Sequence, residues 1–146
     1  VTSTILVLNG PNLGRLGTRE PEVYGSESLA DIRDSLAGVV PADVEIDLRQ
    51  SDDEAELIGW IHEAVDRRLP VVLNPAAFTH YSYALRDAAA QLKQAGVPLV
   101  EVHLSNPHTR ETFRHTSVIS GVATGVIAGF GSDSYRMAVE WVLRHA

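Results

Sequence analysis

The sequence contains no cysteine, and only one of its twelve basic residues, Lys93, is a lysine. Without cysteine there is no disulfide framework, thiol nucleophile, iron–sulfur ligation or cysteine-based zinc site. Arginine keeps its proton at ordinary pH and serves as a fixed cation, so Lys93 is the sole candidate for Schiff-base chemistry. Positive charge is also scarce: 19 acidic residues against 12 basic ones give a formal net charge of −7. That balance argues against nucleic acid as a partner, because such a surface needs a basic patch to replace counterions. No apolar run approaches the ~18 residues of a membrane helix, and no basic segment leads into a signal-like apolar core. A soluble, cytoplasmic protein is expected, with no membrane partner. Its 146 residues suit a single domain whose core needs no staples.

The hydrophobic pattern alternates between strands and helices. Ile5-Leu6-Val7-Leu8 is a continuous apolar run that stops at Asn9-Gly10-Pro11-Asn12, a buried strand entering a turn. Ser28 to Leu36 forms a helix, with Ser28 and Asp31 in capping-box spacing. Val44, Ile46 and Leu48 alternate with polar residues, as in a strand with one wet face. Ser51 and Glu54 form a second capping box, opening a helix with Leu57, Ile58, Ile61 and Val65 on one stripe. Val71 to Leu73 is a third strand. Ser82 to Ala95 is a helix closed by Gly96, with Lys93 near its end. Leu99 to Leu104 and Gly125 to Ala128 supply two more strands, and Asp133 to His145 a closing amphipathic helix. This order predicts an α/β fold: a flavodoxin-like, doubly wound, five-stranded parallel sheet. Ligands in such sheets bind beyond the carboxyl ends of the strands, which here carry Asn9, Asn12, Gln50, Ser51, Asn74, His103 and Ser105.

The longest stretch without periodicity, Asn9 to Gly25, is a functional-loop candidate. Gly10, Gly14 and Gly17 suggest a phosphate loop only weakly, as neither Gly-Lys-Ser/Thr nor GxGxxG is present. Arg15, Arg19 and Tyr24 lie around Gly17 and Gly25, possible hinges of a lid over about residues 17–25. A packed Tyr24 with solvated arginines explains the same residues equally well. His103 closes a buried strand, and Glu101, two residues earlier, shares its face, where a carboxylate can fix an imidazole's tautomer. A satisfied core histidine is the competing reading. Leu104 and Ser105 follow at the strand end, where backbone N–H groups can meet a carboxylate. His80, His108 and His115 are grouped nearby, yet no HExxH-like spacing supports a metal, and no G-x-S-x-G elbow supports a serine hydrolase. Gly129 to Ser134 reads as a tight turn with an N-cap rather than an anion site.

Four separated motifs give these residues a common meaning. They are Leu8-Asn-Gly-Pro-Asn-Leu-Gly-Arg-Leu-Gly-Thr-Arg-Glu-Pro-Glu-Val-Tyr-Gly25, Asn74-Pro-Ala-Ala-Phe-Thr-His80 with Ala84-Leu-Arg-Asp87, Glu101-Val-His-Leu-Ser-Asn106, and Glu111-Thr-Phe-Arg-His115. In this order, spread over nearly the whole chain, they resemble the type II 3-dehydroquinate dehydratases. The resemblance implies dehydration of 3-dehydroquinate to 3-dehydroshikimate through an enolate, with no cofactor and no metal. Tyr24 matches the family's general base; a free tyrosine has a pKa of about 10, so cations at Arg19 and Arg110 would assist it. Arg19 also matches the transition-state stabiliser, and Asn12 a residue that stabilises the enolate through water. His103 matches the general acid, with Glu101 orienting it. Asn74, Leu104 and Ser105 would hold the substrate carboxylate, and His80 and Arg114 the ring hydroxyls. Asp87 matches a residue that reaches in from a neighbouring subunit, implying a homododecamer built of trimers. The chain departs from the pattern at Ala76, where glycine is common, and at Tyr81, where threonine is usual. A non-catalytic flavodoxin-like module that binds an anion or nucleotide is the alternative, resting on the glycine-rich loop and fold analogy.

Overall fold

The computed structural model describes residues 3–18 and 20–146. Five strands, β1 (Ser3–Asn9), β2 (Val44–Gln50), β3 (Val71–Asn74), β4 (Leu99–His103) and β5 (Gly125–Ala128), form one sheet in the order β2-β1-β3-β4-β5. All neighbouring pairs are parallel, as the alternation of strands and helices requires. Side chains alternate across each strand, so β1 feeds two cores. Leu6 and Leu8 pack with α3 (Glu54–Arg67) and α4 (Tyr83–Gln94). Ile5 and Val7 pack with α2 (Leu29–Ala37) and α5 (Asp133–His145) on the opposite face. A single helical turn, α1 (Pro21–Tyr24), lies in the first loop. No helix among the described residues is long and apolar enough to cross a membrane.

The reversal of strand order falls beside β1, which pairs with β2 on one side and β3 on the other, bringing Asn9 opposite Asn74. The two chains approach so closely beyond this pair that a Cβ on Gly10 would stand 2.5 Å from the Pro75 carbonyl oxygen. Glycine at that position serves backbone packing rather than a phosphate.

Ser28 caps α2 as its spacing predicts: its hydroxyl accepts from the Asp31 amide, and the Asp31 carboxylate accepts from the Ser28 amide. The second capping box does not form. Asp53 caps α3 through the Ala55 amide, and the Glu54 carboxylate instead accepts a hydrogen bond from the Ser82 hydroxyl at the start of α4. The polar side of β2 is not simply wet either. Arg49 joins Asp47 and Glu63 at 2.8 Å each, and Arg67 reaches Glu63 at 2.6 Å. Hydrogen bonding from Arg49, against a burial cost, and a further bond from Arg67 bring the Glu63 carboxyl down to about 2. A depressed acid contributes stability above its unfolded value of about 4.3 that is lost as pH falls toward 2. Glu63→Gln should therefore narrow the gap between melting temperatures at pH 6 and pH 3; an unchanged gap would remove Glu63 from acid stability.

Candidate active site

One pocket opens at the carboxyl ends of β3 and β4, and Tyr24, Asn74, His80, His103, Arg110 and Arg114 all line it, with Leu104 and Ser105. Residues 50 to 90 positions apart in the chain meet here because parallel strands end at one edge of the sheet. The Arg110 guanidinium donates to the Tyr24 phenol oxygen at 2.9 Å and to the Ser105 hydroxyl at 3.1 Å. It also lies over the Tyr24 ring, 5.1 Å from the centroid. A fixed positive charge thus stands where negative charge on the phenol oxygen would be stabilised.

His103 meets Glu101 as their shared strand face predicts: Nε2 lies 2.5 Å from the Glu101 carboxylate. Glu101 itself is fully buried and does not line the pocket. Its oxygens accept from Thr79 and Ser120 at 2.6 Å and from Ser117 at 3.1 Å. Burial works to raise its pKa, but the hydrogen bond and charge of His103, then the Ser120 and Thr79 hydroxyls, outweigh it and hold the carboxyl below its ordinary range. With Nε2 committed to Glu101, Nδ1 is the ring nitrogen of His103 left for chemistry.

His80 is held through Nδ1, 2.8 Å from the Thr116 carbonyl. Partial burial, with the positive charges of Arg114 and His103, lowers its pKa against the opposing pull of the Thr116 carbonyl. Neutral at ordinary pH, it donates from Nδ1 and offers Nε2 as an acceptor for a hydroxyl.

Like Glu101, two further expected site residues, Asn12 and Asp87, are not among the residues that line this pocket, although Pro11 and Leu13 on either side of Asn12 are. Asn12 is exposed in a left-handed conformation at φ 71°, its backbone N–H donating to the Asp52 carboxylate at 2.9 Å. Asp87 is exposed on α4 and paired with Arg86 at 3.3 Å. Arg19 lies outside the described residues. Lys93 is exposed in the last turn of α4, the helix that returns from the carboxyl end of β3 to the start of β4. It therefore sits toward the sheet edge opposite the pocket. The turn at 129–134 forms with Ser132 at the N-cap of α5, but without a side-chain cap bond: the Ser132 hydroxyl donates to Glu27 at 2.7 Å. Ala76 lines the pocket at φ 51°, which explains why glycine suits the position: L-residues pay about 1–2 kcal/mol there. Tyr81 is exposed, does not line the pocket, and meets Phe78 in a T-shaped ring contact at 5.9 Å. Among the described residues, no three His, Asp or Glu cluster so as to hold a metal ion.

Sequence reasoning missed Thr79, Ser117 and Ser120 around Glu101, for which no periodicity gave a signal. It also missed the buried pair Asn9 and Tyr135. Asn9 was visible as a polar strand end, whereas Tyr135 is hidden in the apolar stripe of α5.

The family model for dehydroquinase class II matches residues 3–143. The chain belongs to this family. Among its relatives, the 3-dehydroquinate dehydratase of Kineococcus radiotolerans is 62% identical over 141 residues, covering 94% of this chain and 93% of the relative. That of Salinispora tropica is 56% identical, covering 97% and 98%. The crystal structure of type II dehydroquinase from Propionibacterium acnes superposes with a TM-score of 0.91 at 46% identity, covering 99% of this chain and 98% of that one. The four motifs by which the sequence resembles the class II dehydroquinases all fall within the matched span.

Proposed function

We propose that the chain is a hydro-lyase that dehydrates 3-dehydroquinate to 3-dehydroshikimate in the shikimate pathway. The observation that carries this reading is the single pocket holding the Tyr24 phenol against Arg110 and the His103 imidazole against buried Glu101. Two acid–base groups with separate charged partners suit a reaction that removes one proton and delivers another. The Tyr24 phenolate takes the proton α to the ketone, and the electron pair moves into an enolate. Collapse of the enolate forms the carbon–carbon double bond and expels the C1 hydroxyl, which receives a proton from His103 and leaves as water. Glu101 holds the imidazole in register.

Asn74 and the backbone of Leu104 and Ser105 receive the substrate carboxylate, with His80 and Arg114 on the ring hydroxyls. Arg19 stabilises the transition state from a lid over residues 17–25, whose flanking Gly17 and Gly25 have φ of 95° and 90°. Asn12 acts on the enolate through a water. Asp87, exposed on α4, completes a neighbouring subunit's site in a homododecamer of trimers working in the cytoplasm. The reaction needs neither cofactor nor lysine imine. Mixing the protein with 3-dehydroquinate should produce the ultraviolet absorbance of a conjugated enone; folded protein that yields none would refute the activity.

A further inference from the structure

Behind the pocket, three buried polar side chains form a hydrogen-bonded series whose direction is forced from its far end. Asn9 is fully buried, and its Nδ2 donates to two backbone carbonyls, Val7 at 3.3 Å and Arg49 at 3.0 Å. Both amide protons are thereby used on groups that can only accept, so Asn9 Oδ1 must accept. Its partner is the Tyr135 hydroxyl, which donates across 2.6 Å. Having spent its one proton, the Tyr135 oxygen must in turn accept, and it does so from Asn74 Nδ2 at 2.9 Å. At the other end of that amide, Asn74 Oδ1 accepts from the Ala76 N–H at 3.1 Å. Two independent contacts therefore set the same orientation of Asn74. Pro75, at φ −77° and ψ −4°, turns the chain so that the Ala76 amide points back onto the Asn74 side chain.

One polar atom position remains. The second Nδ2 proton of Asn74 has no partner among the described residues, and Asn74 lines the pocket. We propose that Asn9 and Tyr135 are positioning residues that lock Asn74 as a hydrogen-bond donor, so that this end of the pocket selects an acceptor group such as the substrate carboxylate. This rests on the reading that Asn74 contacts the substrate. A free amide would turn over between donor and acceptor faces and reject a carboxylate part of the time. The series removes the acceptor face at no cost in unsatisfied groups: no buried side-chain nitrogen or oxygen among the described residues lacks a partner. Burial also pushes the Tyr135 phenol up, opposed by its bond from Asn74, so the hydroxyl stays protonated and the direction does not reverse with pH.

The test is a double-mutant cycle on steady-state kinetics with 3-dehydroquinate, using Tyr135→Phe, Asn74→Ala and the pair. Tyr135→Phe keeps the ring and removes only the hydroxyl. The expected result is a KM raised about tenfold with kcat within about threefold, and no further rise when Tyr135→Phe is added to Asn74→Ala. A KM unchanged in Tyr135→Phe, or raised equally with and without Asn74, overturns the positioning role alone. A KM unchanged in Asn74→Ala overturns the reading beneath it as well. Should Tyr135→Phe not fold, Asn9→Ala takes its place in the cycle: it leaves the phenol in position but frees its hydroxyl to turn toward Asn74. The same KM rise, abolished in the Asn74→Ala background, is expected; its absence refutes the proposal.

Discussion

Tyr24→Phe should lower kcat by about 10²–10⁴-fold, the usual span of general acid–base catalysis, and leave KM within a few-fold. The expectation follows from what the substitution removes. The ring remains to fill its half-buried place under the Arg110 guanidinium, and only the oxygen is lost. Arg110 keeps its bond to the Ser105 hydroxyl, so the cation stays in the pocket. Stability should change little, with the melting temperature moving by no more than about 2 °C. A loss confined to kcat identifies a group acting in the transition state, whereas a raised KM with full turnover would make the phenol a binding contact. Near-parental kcat would remove Tyr24 as the base.

Glu101→Gln should be nearly as damaging to turnover, and unlike Tyr24→Phe it should also destabilise the fold. The carboxylate is fully buried beneath His103 and receives hydrogen bonds from Thr79, Ser117 and Ser120 as well. A glutamine of the same shape presents an amide donor where these groups donate, leaving a buried donor facing a donor. Hydrogen bonds to a charged group contribute about 1.5–3 kcal/mol, so a fall of several degrees in melting temperature is expected. His103 loses the partner that fixes its tautomer, for an expected drop of about 10²-fold in kcat. The acid limb of stability should change too. Glu101 titrates below its ordinary range, so its contribution is complete above the unfolded carboxylate value and disappears as pH falls through the folded one. Melting temperatures in the variant should fall less steeply on acidification. A kcat within threefold of the parent would exclude Glu101 from orienting the acid.

Much of this arrangement is legible in the sequence, for reasons that differ from element to element. The strand Gly125–Ala128 and the helix Asp133–His145 fall at their predicted bounds, since apolar runs and helical periodicity are properties of neighbouring residues. The Ser28 box formed because its partners are three residues apart. The box at Ser51 failed because Glu54 found Ser82, 28 positions away, a competitor that spacing does not reveal. Likewise, the Glu101–His103 pair follows from strand alternation, while the three hydroxyls on Glu101 come from two irregular segments with no period to read.

By itself, then, the sequence determined the parallel α/β sheet, the class II dehydroquinase family and the chemical types gathered at the strand ends. Local periodicity and motif order are sufficient for those. Tertiary structure alone decided which expected residues share the pocket lining, leaving Asn12 beside it between Pro11 and Leu13, and Asp87 exposed on α4. It alone set the direction of the Asn9–Tyr135–Asn74 hydrogen bonds. Those bonds join residues 126 and 61 positions apart, and their polarity depends on the Arg49 carbonyl, which only the β1–β2 register brings within reach of Asn9.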